Sequence, residues 1–111
     1  MTVTERFLKY VSYPTMSCSD STTVPSTAKQ KVLGEYIAAE LRALGLCDAH
    51  MDELGYVYAT LPANTDKKVN TIGFIAHMDT SDAASDENIK TAVQIICKAV
   101  RLHGITIHSW F

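Results

Sequence analysis

The stretch that most constrains this chain is Ile72-Gly73-Phe74-Ile75-Ala76, an apolar run that ends abruptly in His77 and Asp79. An apolar run of this length between polar flanks predicts a buried strand of an α/β sheet. Ligands of such sheets sit beyond the carboxyl ends of the strands, where His77 and Asp79 would stand. Side chains two apart on an extended segment point the same way, so the pair shares one face. A neutral imidazole is a common zinc ligand, and a nearby carboxylate can fix its ring from behind. The spacing alone is more often that of a strand running into a polar turn, because a bare His-x-Asp is a frequent accident.

With 111 residues and 47% hydrophobic content, the chain is one domain or a piece of one, with enough apolar surface for a modest core. Ten basic against twelve acidic residues give a net charge of −2, with no basic stripe to track phosphates. Nucleic-acid and anionic-membrane partners are therefore not expected. No apolar stretch has the length of a membrane span, and Glu5, Arg6 and Lys9 stand where a secretory signal needs an apolar core. Cys18, Cys47 and Cys97 are too widely spaced for a disulfide framework or a zinc finger. They predict small packing residues in a reducing cytoplasm.

Along the chain, Phe7, Leu8 and Val11 predict one face of a helix over residues 4–13, capped by Thr2 or Thr4 and ended by Pro14. Ser17 to Pro25 is a polar loop. Residues 27–44 predict the clearest helix, with Thr27-Ala28-Lys29-Gln30 as a capping box and Gly45 as the C-terminal cap. Its stripe of Val32, Leu33, Tyr36, Ile37, Leu41 and Leu44 reads as core. Asp48 to Asp52 is short and strand-like. Tyr56 to Leu61 predicts a strand after Gly55, and Pro62 to Lys68 an exposed loop. From Glu87, the residues Ile89, Val93, Ile96 and Val100 predict a further amphipathic helix that Gly104 stops, followed by a strand-like Ile105–Phe111.

No serine nucleophile elbow, H-E-x-x-H helix or phosphate loop is present. Several segments instead resemble the start of peptidase T, the tripeptide aminopeptidases of the M20 metallopeptidase family. They are Glu5 to Ser12, Val24 to Thr27, Glu40 to Leu46, Gly55 to Asn64 and Ile72 to Ser81. Leu61-Pro62-Ala63-Asn64 and His77-Met78-Asp79-Thr80-Ser81 are the most specific pieces. The resemblance implies an α/β fold: a truncated N-terminal part of a zinc-exopeptidase-like catalytic domain over residues 1–84. Residues 85–111 would be a helical tail, either the family's C-terminal helix joined by a deletion or unrelated sequence. It further implies His77 as a zinc ligand and Asp79 as the catalytic carboxylate that positions it. Two zinc ions per active site would activate water against the first peptide bond of a tripeptide, with no nucleic acid and no membrane involved.

The family's bridging aspartate, general-base glutamate and remaining ligands have no counterparts in the sequence, so the 111-residue chain alone is expected to be inactive. Two other readings accompany this one. The chain could be a non-catalytic remnant or interaction module that self-associates through an exposed sheet edge. It could also be a small metal binder using His77 with His103 or His108.

Overall fold

The centre of the fold is one helix lying on one hairpin. A computed structural model describes residues 1–90 and contains α1 (Val3–Tyr10), α2 (Gln30–Ala43), β1 (His50–Met51) and β2 (Val57–Tyr58). Helix α2 contacts both strands, and Leu33, Gly34 and Ala38 are its buried residues. With Ala49, just before β1, Leu33 and Ala38 form the apolar core. Gly34 permits the close approach: a Cβ there would stand 2.5 Å from Met51 Sδ and 3.5 Å from Val57 Cγ2. Two cations fasten the hairpin along the helix. Arg42 Nη1 donates to the Ala49 carbonyl at 2.7 Å, and Lys31 Nζ to that of Glu53 at 2.6 Å.

The hairpin pairs His50 with Tyr58 and Met51 with Val57 in antiparallel register. Its turn is set by Asp52 and Gly55. The Asp52 carboxylate accepts from the amides of Leu54 and Tyr56, its carbonyl accepts from Gly55, and its own amide donates to Tyr56. Gly55 has φ +90°, the left-handed residue that a three-residue hairpin loop requires. The end of α2 is equally well specified. Gly45 at φ +98° donates to Arg42, and Leu46 donates to Leu41, the double bond of a Schellman cap.

Helix α1 is held from outside and buries none of its residues. Thr2 and Glu5 form its capping box. Arg6 Nε meets Glu40 Oε1 of α2 at 3.0 Å, and the Tyr10 hydroxyl donates to the other oxygen of the same carboxylate. Burial, then that bond, pushes the Tyr10 phenol up to about 12, and the same bond holds Glu40 below the usual carboxylate range. Tyr36 packs against Tyr10 and Tyr13 at centroid distances of 6.1 and 5.5 Å. The apolar face expected to bury Phe7 instead leaves it exposed, with Leu8 and Val11 half-covered.

Several expectations are corrected. Ile72–Ala76 is not a strand and is not buried; the whole run is exposed. A strand exists only where another backbone takes up its amides and carbonyls, and among the described residues nothing pairs with this run. Among the described residues the fold has two helices and a small antiparallel sheet, α/β in kind, and the apolar run is not part of that sheet. The expected Tyr56–Leu61 strand narrows to Val57–Tyr58, for the same want of a partner beyond β1.

Thr27 and Gln30 do not make a capping box. The Thr27 hydroxyl donates to the Met16 carbonyl at 2.7 Å and accepts from the Gln30 side-chain amide at 3.0 Å, and Lys29 takes the N-cap position. Val32 and Leu44 of the expected core stripe are exposed, because the hairpin covers only one side of α2. Cys18 and Cys47 are free and exposed, so neither is a packing residue. The helix expected from Glu87 does not start there. Residues 87–88 form a turn with Asn88 at φ +53°, a backbone conformation that interrupts a right-handed helix. The rest of that helix, the 105–111 segment, Cys97, His103 and His108 lie outside the described residues. No helix among the described residues is long and apolar enough to cross a membrane.

Candidate metal-ligand segment

The segment that carries His77 is anchored just beyond it. Thr80 forms a parallel bridge with Met16. Its amide donates to the Thr15 carbonyl at 3.1 Å, and its carbonyl accepts from the Ser17 amide at 2.8 Å and the Ser17 hydroxyl at 3.0 Å. The Ser19 amide donates to Asp82 Oδ2 at 3.3 Å. Thr15, at the start of this seam, is buried.

A second tie closes the segment from behind, through the buried Asp86. Its carboxylate accepts from the Met16 amide at 2.8 Å and from Lys29 Nζ, 2.7 Å from Oδ2 and 2.9 Å from Oδ1. Met16 in turn accepts from Thr27. One carboxylate thus joins the loop after α1, the approach to α2 and the residues beyond His77. The Lys29 ammonium, then the Met16 amide, hold Asp86 below the usual carboxylate range. A carboxylate whose folded pKa is depressed stabilises the fold above its unfolded pKa, near 3.9, and that contribution is lost as pH falls through the folded value. Asp86→Ala is therefore expected to lower the melting temperature at pH 7. The gap to the parent should shrink steadily below about pH 4, where the parent loses the same charge. Thermal melts of both chains from pH 7 down to pH 2.5 check this.

His77 and Asp79 are brought together. Nδ1 of His77 lies 3.2 Å from Asp79 Oδ1 and 2.9 Å from the Asp79 carbonyl oxygen. With its proton on Nδ1, the ring donates toward both oxygens and keeps its lone pair on Nε2. The hydrogen bond made by one ring nitrogen fixes which nitrogen can ligate. The His77 side chain is 85% exposed and that of Asp79 43%, so Nε2 is accessible.

Zinc coordination needs about three or four such donors around one point. His77 with Asp79 fits one ligand and the carboxylate that orients it, but the described residues contain no group of three His, Cys, Asp or Glu that could hold a metal ion. They fit one corner of a zinc site and not a whole one. His50 takes no part: its Nδ1 lies 2.8 Å from the Asp48 carbonyl and its ring stacks on Tyr58. An open hollow of about 500 Å³ lies elsewhere, lined by Ser12, Pro14, Asp86, Glu87, Asn88 and Ile89.

Asp86 and Lys29 are the residues that the sequence does not mark. Their partners are 57 and 70 positions away, so no local pattern marks them.

No family model matches the chain. Individual relatives do. Peptidase T of Parabacteroides distasonis is 50% identical over 93 residues, which is 84% of this chain and 23% of that protein. Peptidase T of Caldanaerobacter subterraneus subsp. tengcongensis is 53% identical over 91 residues, 82% of this chain and 22% of that protein. Peptidase T of Clostridium acetobutylicum is 53% identical over 87 residues, 78% and 21% respectively. The chain thus spans a little over a fifth of the length of the curated relatives it matches. Over about four-fifths of its own length, this chain is a relative of peptidase T.

Proposed function

We propose that the chain is a segment of a peptidase T-type zinc aminopeptidase, contributing His77 as a zinc ligand through Nε2 and Asp79 as the carboxylate that orients it. The observation that carries this reading is the His77–Asp79 pairing itself, which occurs in a sequence about half identical to peptidase T. Asp79 holds the proton on Nδ1 and locks the ring plane, so that the lone pair is presented outward. Zinc at such a site supplies an activated water and a polarised carbonyl, here for releasing the first residue of a tripeptide. Free thiols at Cys18 and Cys47 suit a reducing compartment, and we place the protein in the cytoplasm.

The reading is tested by a chimera in which residues 1–90 replace the matching stretch of the Caldanaerobacter peptidase T. The chimera should retain zinc and hydrolyse tripeptides. His77→Ala in it should abolish activity, and Asp79→Asn should cost about 10–100-fold in metal affinity or activity. A His77→Ala chimera as active as its parent would remove the assignment.

A further inference from the structure

The nearer of the two acceptors facing His77 Nδ1 is the Asp79 carbonyl, at 2.9 Å, and not the Asp79 carboxylate, at 3.2 Å. A backbone carbonyl has no rotamer of its own; its direction is that of its peptide plane. The peptide joining Asp79 to Thr80 is trans, so its carbonyl and its N–H point opposite ways. The N–H end is taken, because Thr80 donates to the carbonyl of the buried Thr15 at 3.1 Å. Holding one end of the plane aims the other at the imidazole.

The hold on Thr80 is itself held. Thr15 and Ser17 grip Thr80 from either side of Met16, and Met16 is fixed at both of its polar backbone atoms. Its amide donates to Asp86 at 2.8 Å, and its carbonyl accepts from Thr27 at 2.7 Å. The Asp86 side chain, 4% exposed, meets Lys29 at the start of α2 at 2.7 Å. On the other side of His77, residues 72–76 are exposed and, among the described residues, pair with nothing. The imidazole is therefore oriented from the Thr80 side alone. We propose that Asp86 is a positioning residue for His77. By tying Met16 to the start of α2 it fixes the peptide between Asp79 and Thr80, and so selects the imidazole tautomer with its proton on Nδ1 and its lone pair on Nε2. The inference deepens the reading of His77 as a zinc ligand through Nε2 and rests on it.

The test reads the ring nitrogens of His77 by nitrogen NMR in the full 111-residue chain. It is run in metal-free buffer at about pH 8, where an ordinary histidine is neutral. The parent should show mainly the Nδ1–H tautomer. Asp86→Ala, measured well below its melting temperature, should lower the ratio of Nδ1–H to Nε2–H by about threefold or more, toward the low end of what one hydrogen bond contributes. Thr27→Val removes the hydroxyl on the Met16 carbonyl and should move the ratio the same way; it carries the test if Asp86→Ala does not fold. Lys31→Met is the control. It removes a contact between α2 and the hairpin, not one on Met16, and should leave the ratio where it was. A ratio that neither Asp86→Ala nor Thr27→Val moves overturns the inference and leaves the His77–Asp79 pairing standing. A ratio that Lys31→Met moves as far overturns it too, because Asp86 would then act only through general stability. A parent ring mainly on Nε2–H overturns both the inference and the pairing behind the zinc reading. A ratio that responds to Asp86, beside a His77→Ala chimera as active as its parent, upholds the positioning and removes only the zinc assignment.

Discussion

Leu33→Ala is expected to cost about 2–5 kcal/mol, the usual range for truncating a buried leucine, and to leave the helix–hairpin unit largely unfolded at room temperature. Leu33 is 4% exposed, and among the described residues it is the only large apolar side chain that is buried; its companions Ala38 and Ala49 are small. Alanines cannot grow to fill the space, and the hairpin on the other side is pinned by Arg42 and Lys31. The void would persist. Small domains rarely have more than about 5–15 kcal/mol in hand, and a core this thin places the chain toward the low end. Val32→Ala, one residue away and 57% exposed, supplies the control and should shift stability by about 0.5 kcal/mol or less. Urea titration followed by helical circular dichroism checks both. The leucine variant should lose a molar or more of its midpoint, and the valine variant almost none.

What could be read from the sequence, and what could not, divides by the reach of the interactions. The body of α2, its Gly45 cap and the Gly55 break before β2 rest on residues within a few positions of one another, and each is visible as a local pattern; the Asp52 side chain that sets the turn is not. The capping box at Thr27 was also a local pattern, but a distant group outbid it. Once the Met16 carbonyl takes the Thr27 hydroxyl, the helix starts later and is capped without a side chain. Asp86 shows the same limit from the other side. An aspartate in a polar linker carries no mark of the lysine and the amide that bury it.

The apolar run at Ile72 was legible as a strand in composition and illegible in structure. Hydrophobic patterning reports what a segment would bury against partners, and strand pairing also needs a second backbone beside it. Among the described residues that backbone is missing at 72–76 and present only at Thr80. The candidate site follows the same division. His77 and Asp79 are two apart, and their pairing was readable from the spacing. Further ligands of a zinc centre come from remote parts of a fold, and the described residues gather none around the pair.

The second large effect concerns catalysis by the chain itself. A hydrolytic zinc ion needs about three protein donors and an open position, and among the described residues the proposed ligand His77 stands exposed with only Asp79 beside it. A single ligand leaves the metal mostly hydrated and in exchange with solvent, with no substrate held near it. Positioning alone is worth about 7–11 kcal/mol of a barrier in a well-formed site, and an open, single-ligand site forgoes nearly all of it. The isolated chain should therefore show no enzymatic hydrolysis. The direct measurement is tripeptide cleavage by the purified 111-residue chain and its His77→Ala variant, each with zinc supplied and compared with zinc in buffer. The account predicts that all three traces coincide. Hydrolysis by the parent chain that His77→Ala abolishes would contradict it, and would mean that a chain spanning about a fifth of its relatives' length builds an active site by itself.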